Sequence, residues 1–338
     1  MPLVFYAVHA KLAALRRGLR NHLTKRDPMT NDIWTIKAAL DWTVGYLERK
    51  GDANPRLSAE WLMSEATGLS RIELYVNFEK PLSADERAML RDFVARRGKG
   101  EPLQLISGKA PFRYLTLFVA PGVLIPRPET EVLVSEAFAE LNLPRPASHV
   151  EQGEEGEQIV DASLPALKAI DLCTGSGCIA CALASEYPAA QVLALDIAPE
   201  ALALAQKNVE HLGLANRVQV VESDLLAAVP ESEKGTFDLV ISNPPYVPTA
   251  VCDTLPAEVG NWDPRLALDG GEDGLSLFRR FLPDALSCLK PGGVLAVELY
   301  EGHLAQAAQL AAEQGFDRIR TVNDLAGRPR VLVARKPA

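Results

Sequence analysis

Asn243-Pro244-Pro245-Tyr246 is the stretch of this chain whose residue types most directly suggest chemistry. The asparagine offers an amide oxygen, while two prolines remove backbone N–H donors and fix φ. Each proline also drives its predecessor toward extended backbone, so the carbonyls of Asn243 and Pro244 are held rather than loose. The product is a rigid cluster of hydrogen-bond acceptors beside an aromatic face. Such a cluster suits a planar, neutral NH2 group that must be oriented and then react. A proline-rich turn after a strand would use the same residues, so the surrounding segments have to decide.

Ala169-Ile-Asp-Leu-Cys-Thr-Gly-Ser-Gly-Cys-Ile-Ala180 reads as a strand, a tight glycine turn and a helix start. Gly175 and Gly177 permit close backbone approach, and the helix N-terminus presents free N–H groups. Written as G-x-G-x-x-A it fits a dinucleotide fingerprint and is ambiguous alone. Asp196 ends the next strand, 21 residues beyond Gly175, placed to bind the two hydroxyls of a ribose. Asp224, in Val221-Glu-Ser-Asp-Leu225, has two readings. It borders an adenine and accepts from the exocyclic amine with Leu225 over the ring, or it caps a helix. These features indicate an adenosine-type cofactor without choosing one. A hydride-transferring enzyme needs a nicotinamide pocket and usually a proton donor. Here the fourth strand ends in acceptors and an aromatic, with no His, Lys or Cys adjacent.

The elements that must position these residues are legible as a rhythm. Strands are predicted at 168–172, 191–196, 217–221, 236–242, 292–298, 316–322 and 330–335. Helices are predicted at 178–186, 199–212, 274–289 and 302–314. Alternation of this kind implies an α/β domain with a mostly parallel, seven-stranded sheet covered on both faces. Residues 29–105 read as a small helical bundle. Asn54-Pro55 is an N-cap with proline at the first helical position, and Ser83-Ala-Asp-Glu86 is a capping box. Residues 106–128 form a linker in which Phe112–Val123 alternates as a hairpin or extended connector. Arg127-Pro-Glu-Thr-Glu131 then launches a helix into the catalytic domain, 129–338. Residues 144–166, rich in Pro, Glu and Gly, read as an exposed acidic insertion.

Charge and cysteine usage narrow the class. Residues 29–113 hold 13 basic and 12 acidic side chains, whereas 114–338 hold 16 and 31. That acidic half lacks the basic footprint of a nucleic-acid binder and would steer a basic protein partner. The basic stretch Met1–Pro28 reads as an extension outside the fold, with a transit peptide or membrane-surface helix as its alternative. No apolar run reaches membrane-spanning length. Five cysteines form no paired framework, so a reducing cytoplasm is the expected compartment. Cys178-Ile-Ala-Cys181 has redox-motif spacing, yet it starts a helix and no second cluster completes a zinc site; packing against the sheet is expected.

With these segments assembled, the chain resembles class I S-adenosylmethionine-dependent methyltransferases acting on planar nitrogens, with a Rossmann-like fold. Leu124-Ile-Pro-Arg-Pro-Glu-Thr-Glu131, Asp263-Pro-Arg-Leu-Ala-Leu-Asp-Gly-Gly-Glu-Asp-Gly274, Lys290-Pro-Gly-Gly-Val294 and Asp324-Leu-Ala-Gly-Arg-Pro-Arg-Val331 narrow this further. They resemble the protein-glutamine N5-methyltransferases that modify peptide-chain release factors, the HemK/PrmC family. The resemblance implies S-adenosylmethionine as methyl donor, S-adenosylhomocysteine as product, and no metal. It implies Cys173, Thr174, Gly175, Ser176, Gly177, Asp196, Asp224, Leu225 and Asn243 around the cofactor. It places Asn243, Pro244, Pro245 and Tyr246 around a glutamine carried on a Gly-Gly-Gln loop, with Asn243, Pro244 and Tyr246 catalytic. A monomer docking a release factor through its helical domain is expected, without nucleic acid or membrane. Rival readings are glutamine methylation of a ribosomal protein, N6-adenine methylation, or nicotinamide-dependent oxidoreduction. Three departures stand out. Cys173 occupies a position where the family often has glycine, tolerable only with an ordinary φ. Asp263-Pro replaces the commoner Glu-Pro, and Glu298-Leu-Tyr300 replaces Glu-x-Gly.

Overall fold

A computed structural model describes residues 33–143 and 164–338. The expected extension at 1–28 and most of the expected insertion at 144–166 lie outside the described residues. The chain divides into two compact units, one ending at Gly98 and the other running from Lys99 to Ala338.

The first unit holds α1 (Ile36–Lys50), α2 (Pro55–Thr67), α3 (Arg71–Val76) and α4 (Ala84–Arg97). Leu40, Leu47, Leu62, Met63 and Leu74 are fully buried and form its core. The capping box at Ser83 is present in full: Ser83 Oγ accepts from the Glu86 N–H at 3.1 Å, and Glu86 accepts from the Ser83 N–H at 2.6 Å. Asn54 differs from expectation. Its side chain makes no cap bond; Asp52 instead braces the entry to the helix, accepting from the Asn54 N–H and the Ser58 hydroxyl. One buried carboxylate stands out: Glu60, 1% exposed, receives Arg56, Arg71 and the Tyr75 hydroxyl, each at 2.5 Å. Burial works to raise its pKa, and these three donors together overcome burial and hold it below the usual carboxylate range.

The second unit begins with α5 (Leu103–Ser107) and an antiparallel hairpin, β1 (Lys109–Phe112) and β2 (Leu115–Phe118). Leu105 on α5 packs with Ala110, Val119 and Ile125, and the first compact unit ends at Gly98, a few residues before the expected 105. The hairpin also lies earlier than the expected 112–123. Its two-residue turn is Arg113-Tyr114, with Arg113 at φ +52°, a conformation that usually calls for Gly or Asn. Arg113 is held there by Glu186 and by the Glu131 backbone and side chain. No local turn residue therefore announced it.

After α6 (Pro128–Glu140), the sheet runs in the order β5-β4-β3-β6-β7-β9-β8. The strands are β3 (Leu167–Leu172), β4 (Ala190–Asp196), β5 (Val218–Glu222), β6 (Phe237–Ser242), β7 (Leu289–Glu298), β8 (Asp317–Asn323) and β9 (Pro329–Arg335). Pairs from β5 through β7 are parallel, and β9 is antiparallel to both neighbours. Period-two alternation builds two cores. Ala169, Leu239 and Ile241 face α6, α7 (Cys178–Glu186) and α8 (Pro199–His211). Ile170, Val240 and Leu295 face α9 (Ser276–Cys288) and α10 (Leu304–Gln314). The central strands β3, β6 and β7 are thus apolar on both faces, as a covered parallel sheet requires, while the edge strands β5 and β8 are largely exposed or half-buried. β7 starts at Leu289 instead of 292, since Leu289 already pairs with Phe237 before an irregularity absorbs the glycines. Among the described residues, no helix is long and apolar enough to cross a membrane.

Candidate active site

The carboxyl ends of β3, β4 and β6 open onto a cavity of about 480 Å³, the position where ligands sit in open α/β sheets. Asp171, fully buried near the end of β3, shapes the first turn. Its Oδ2 accepts from the Thr174 hydroxyl at 2.5 Å and the Ala180 N–H at 3.0 Å, and Oδ1 has no protein partner. Burial pushes this carboxyl up to about 7. The turn then passes through Gly175 at φ +55° and Gly177 at φ +78°. A Cβ on Gly177 would come within 3.2 Å of Ala205 in α8, so this glycine also sets helix–helix approach.

Cys173 corrects an expectation. It lies at φ +58°, in the left-handed region where an L side chain costs about 1–2 kcal/mol. The replacement of glycine is tolerated as strain, not as ordinary backbone. Leu225, also lining the cavity, has φ +52°. Two strained non-glycine residues on one wall fit the tendency of strain to gather at ligand sites. Cys178 and Cys181 are buried among the sheet-facing residues of α7, and burial raises the Cys181 thiol to about 12.

Asp196 lines the cavity with its carboxylate fixed by three backbone donors. Oδ2 accepts from the Gly175 N–H at 2.8 Å, and Oδ1 from Ile197 at 2.8 Å and Ala198 at 3.0 Å. A carboxylate offers about four lone-pair directions, so roughly one remains for a ligand hydroxyl. Asp224 also lines the cavity, paired with Arg280 at 2.9 and 3.0 Å. Its helix-cap reading fails: no helix follows, and the Ser223 hydroxyl accepts the Ala228 N–H instead.

The tetrapeptide adds Asn243 and Pro245 to the same lining. Ser242 anchors the end of β6 by donating its hydroxyl to the Leu172 carbonyl at 2.7 Å. Beyond Tyr246 the chain is clamped to 263–274: Val247 donates to Leu268, and Gly270 donates back to Val247, each at 2.8 Å. A Cβ on Gly270 would meet Tyr246 Cα at 2.7 Å and the Pro245 carbonyl at 2.8 Å. One on Gly274 would meet the Tyr246 carbonyl at 2.4 Å. Glycine is required because backbone lies against backbone. Asp263 is tied to Arg127 at 2.5 Å, which joins this segment to 124–131.

Asn243 is the joint of the site. It lines the large cavity together with Pro245. It also lines a second cavity of about 270 Å³, with Tyr246, Glu298, Arg127 and Arg330. Its Nδ2 donates to Thr130 Oγ1 at 3.0 Å; Thr130 donates to Glu298 Oε2 at 2.8 Å; and the Tyr246 hydroxyl donates to Glu298 Oε1 at 3.0 Å. Burial raises the Glu298 carboxyl, opposed by those two hydroxyls and by Arg330. Sequence reading placed Asn243, Pro245 and Tyr246 here and brought in Cys173, Thr174, Gly175, Ser176, Asp196, Asp224 and Leu225, all cavity-lining. Pro244, between them, is buried. Thr130, Glu298 and Arg280 were missed as site residues. Thr130 and Glu298 did stand inside segments that carried the resemblance or its departures, the available signal.

Comparisons with known proteins agree with this architecture. The family described as "PrmC N-terminal domain" matches residues 38–108, and that described as "Methyltransferase small domain" matches 155–255. A release factor glutamine methyltransferase of Geobacter sulfurreducens is 45% identical over 304 residues, covering 90% of this chain and 98% of that protein. One of Rhodopirellula baltica is 38% identical, covering 91% of this chain and 98% of that protein. One of Caulobacter vibrioides is 37% identical, covering 89% and 97%. A crystal structure of a release factor-specific protein-(glutamine-N5) methyltransferase from Alicyclobacillus acidocaldarius aligns at 29% identity. It covers 65% of this chain and 99% of that one with a TM-score of 0.36, and adds no argument of its own. Identity of this depth across nearly the whole length is decisive: the chain belongs to the release factor glutamine methyltransferase family.

Proposed function

We propose that this protein methylates the side-chain amide nitrogen of a glutamine, the one in the Gly-Gly-Gln loop of peptide-chain release factors, using S-adenosylmethionine. The observation that carries the reading is the position of Asn243, shared by two adjoining cavities of different character. Group transfer needs a donor and an acceptor on either side of one fixed point.

The larger cavity suits an adenosine-type group. It has apolar walls from Val123, Ile125 and Leu225, a glycine turn that admits close approach, and a carboxylate, Asp196, with a lone pair left over. Backbone of Cys173, Thr174, Gly175, Ser176 and Gly177 would cradle the group, Asp196 hold its ribose, and Asp224 and Leu225 border its ring. When bound, S-adenosylmethionine supplies an electrophilic methyl group on a sulfonium.

The chain's own residues answer the difficulty of the acceptor, an amide nitrogen whose lone pair is delocalised into its carbonyl. The Asn243 side-chain oxygen and the Pro244 carbonyl each accept one N–H. That fixes the amide plane and stabilises positive charge developing on nitrogen. Pro245 holds the turn, and Tyr246, tied to Glu298, packs on the amide face. No strong base is needed, because the nitrogen turns acidic once alkylated and water takes its proton. The near-neutral helical unit docks the release factor, and the protein works as a cytoplasmic monomer.

Tryptic mass spectrometry of release factors incubated with the protein and isotopically labelled S-adenosylmethionine tests this. One labelled methyl on the Gly-Gly-Gln glutamine is expected. Label confined to other residues or to nucleic acid overturns the reading.

A further inference from the structure

We infer that Glu298 is a positioning residue that sets which end of the Asn243 amide faces the substrate, acting through the Thr130 hydroxyl. The inference rests on the proposed glutamine chemistry, since only an NH2 acceptor needs an oxygen presented to it. Glu298 is 1% exposed at the end of β7, and Thr130 is 2% exposed in the first turn of α6. A hydroxyl carries one hydrogen. Thr130 gives its hydrogen to Glu298 at 2.8 Å, so toward Asn243, 3.0 Å away, it has lone pairs alone. The atom meeting it must be Nδ2, and Oδ1 is turned away from Thr130.

The polarity depends on Glu298 being an acceptor at both oxygens. A neutral group there can donate to Thr130. Thr130 then passes its own hydrogen to Asn243, and the amide that satisfies it is turned over, with N–H facing N–H of the substrate. A buried donor facing a donor forfeits a hydrogen bond and leaves both groups unsatisfied. Among the described residues, the Tyr246 hydroxyl bonds only Glu298. In Glu298→Gln the carbonyl end is therefore claimed by Tyr246 and the NH2 end by Thr130, the reversing arrangement. The charged and titratable groups around Glu298 are Arg330 on β9, Glu129 at the start of α6, and the Tyr246 phenol. Burial lifts the Glu298 carboxyl above its ordinary range, and protonating it has the same reversing effect as the amide.

Neutron diffraction of deuterium-exchanged crystals of the wild type and Glu298→Gln, at neutral pH, reads the amide directly. Nδ2 against Thr130 in the wild type, and a reversed or split amide in the variant, are expected. Single-turnover methylation of a release factor should fall ~tenfold or more in Glu298→Gln, the size of one mispaired hydrogen bond, with KM little changed. The wild-type rate should fall as pH drops through the Glu298 titration, and the variant should lack that limb. Thr130→Val should lose rate comparably, Thr130→Ser should retain it, and Glu298→Gln should add nothing on top of Thr130→Val. An unchanged amide in Glu298→Gln, or losses that simply add, overturns the proposal. A wild type that leaves release factors unmethylated sinks the functional reading instead, and the neutron maps still decide the polarity.

Discussion

Two glutamates, Glu60 in the helical unit and Glu298 in the sheet unit, are both 1% exposed, yet Glu298 lies far deeper beneath the surface and the two are held in opposite ways. Glu60 is gripped by two guanidiniums and a phenol, which outweigh burial and hold its carboxyl below the usual range. Among the described residues Glu298 has only two hydroxyls within bonding distance, with Arg330 acting through space, and its carboxyl is raised. A carboxylate matched by cations joins two helices, α2 and α3, and does little else. One matched by hydroxyls has its carboxyl raised by burial, and the two hydroxyls aimed at it set the polarity of the Thr130–Asn243 contact. Surface exposure alone does not distinguish the two; depth and partners together do.

The sharpest break of this contrast is Asn243→Ala. Loss of one preorganised acceptor should cost ~3 kcal/mol of barrier, about a hundredfold in single-turnover rate. Cofactor affinity by calorimetry should change little, and a near-normal rate would refute the role. Next in size, Glu60→Ala should leave methylation intact while lowering stability by about 2 kcal/mol in urea unfolding. Removing the centre of a buried pair is costlier than that, but Arg56 and Arg71 are 44% and 63% exposed and recover solvation.

A smaller effect tests the sign of the two environments. Glu298 has its folded pKa above the unfolded value, so its contribution to stability is present at acid pH and lost as pH rises through the folded pKa. Glu60 has its folded pKa below the unfolded value, so its contribution is present above the unfolded pKa and lost as pH falls through the folded one. Between pH 7 and 4, the melting-temperature advantage of wild type over Glu298→Gln should grow on acidification. The advantage over Glu60→Gln should shrink toward the acid end. Parallel trends would abolish the distinction.

Smallest is the strained cysteine. Cys173→Gly should shift stability by less than about 1 kcal/mol, because relief of the left-handed backbone offsets glycine's extra unfolded-state entropy. Cys173→Val should lose more, since branching at Cβ is least tolerated at positive φ. Equal melting temperatures for the two variants would contradict that account.

What the sequence disclosed follows the range of the forces involved. The sheet strands, α7 and the capping box at Ser83 were legible because periodicity and capping act over a few residues. The hairpin was misplaced by several residues because its turn is enforced by Glu131 and Glu186, far along the chain. Cys173 could not be assigned its φ from residue type, since a cysteine gives no hint of left-handed backbone. Thr130 and Glu298 lie 168 positions apart, and no spacing rule connects a helix start to the end of a late strand. Asp196 was placed correctly, but the three backbone donors that occupy most of its acceptor capacity appear only once the turn is folded.

The contact of Gly270 and Gly274 with the backbone of Pro245 and Tyr246 has a consequence for how this site can be altered. A rim made of main chain pressed on main chain has no side chains through which to be widened, narrowed or recharged. Redesign toward a different acceptor has to work on side chains that line the smaller cavity without holding the rim, such as Leu124 and Leu255, and must leave the mould itself untouched.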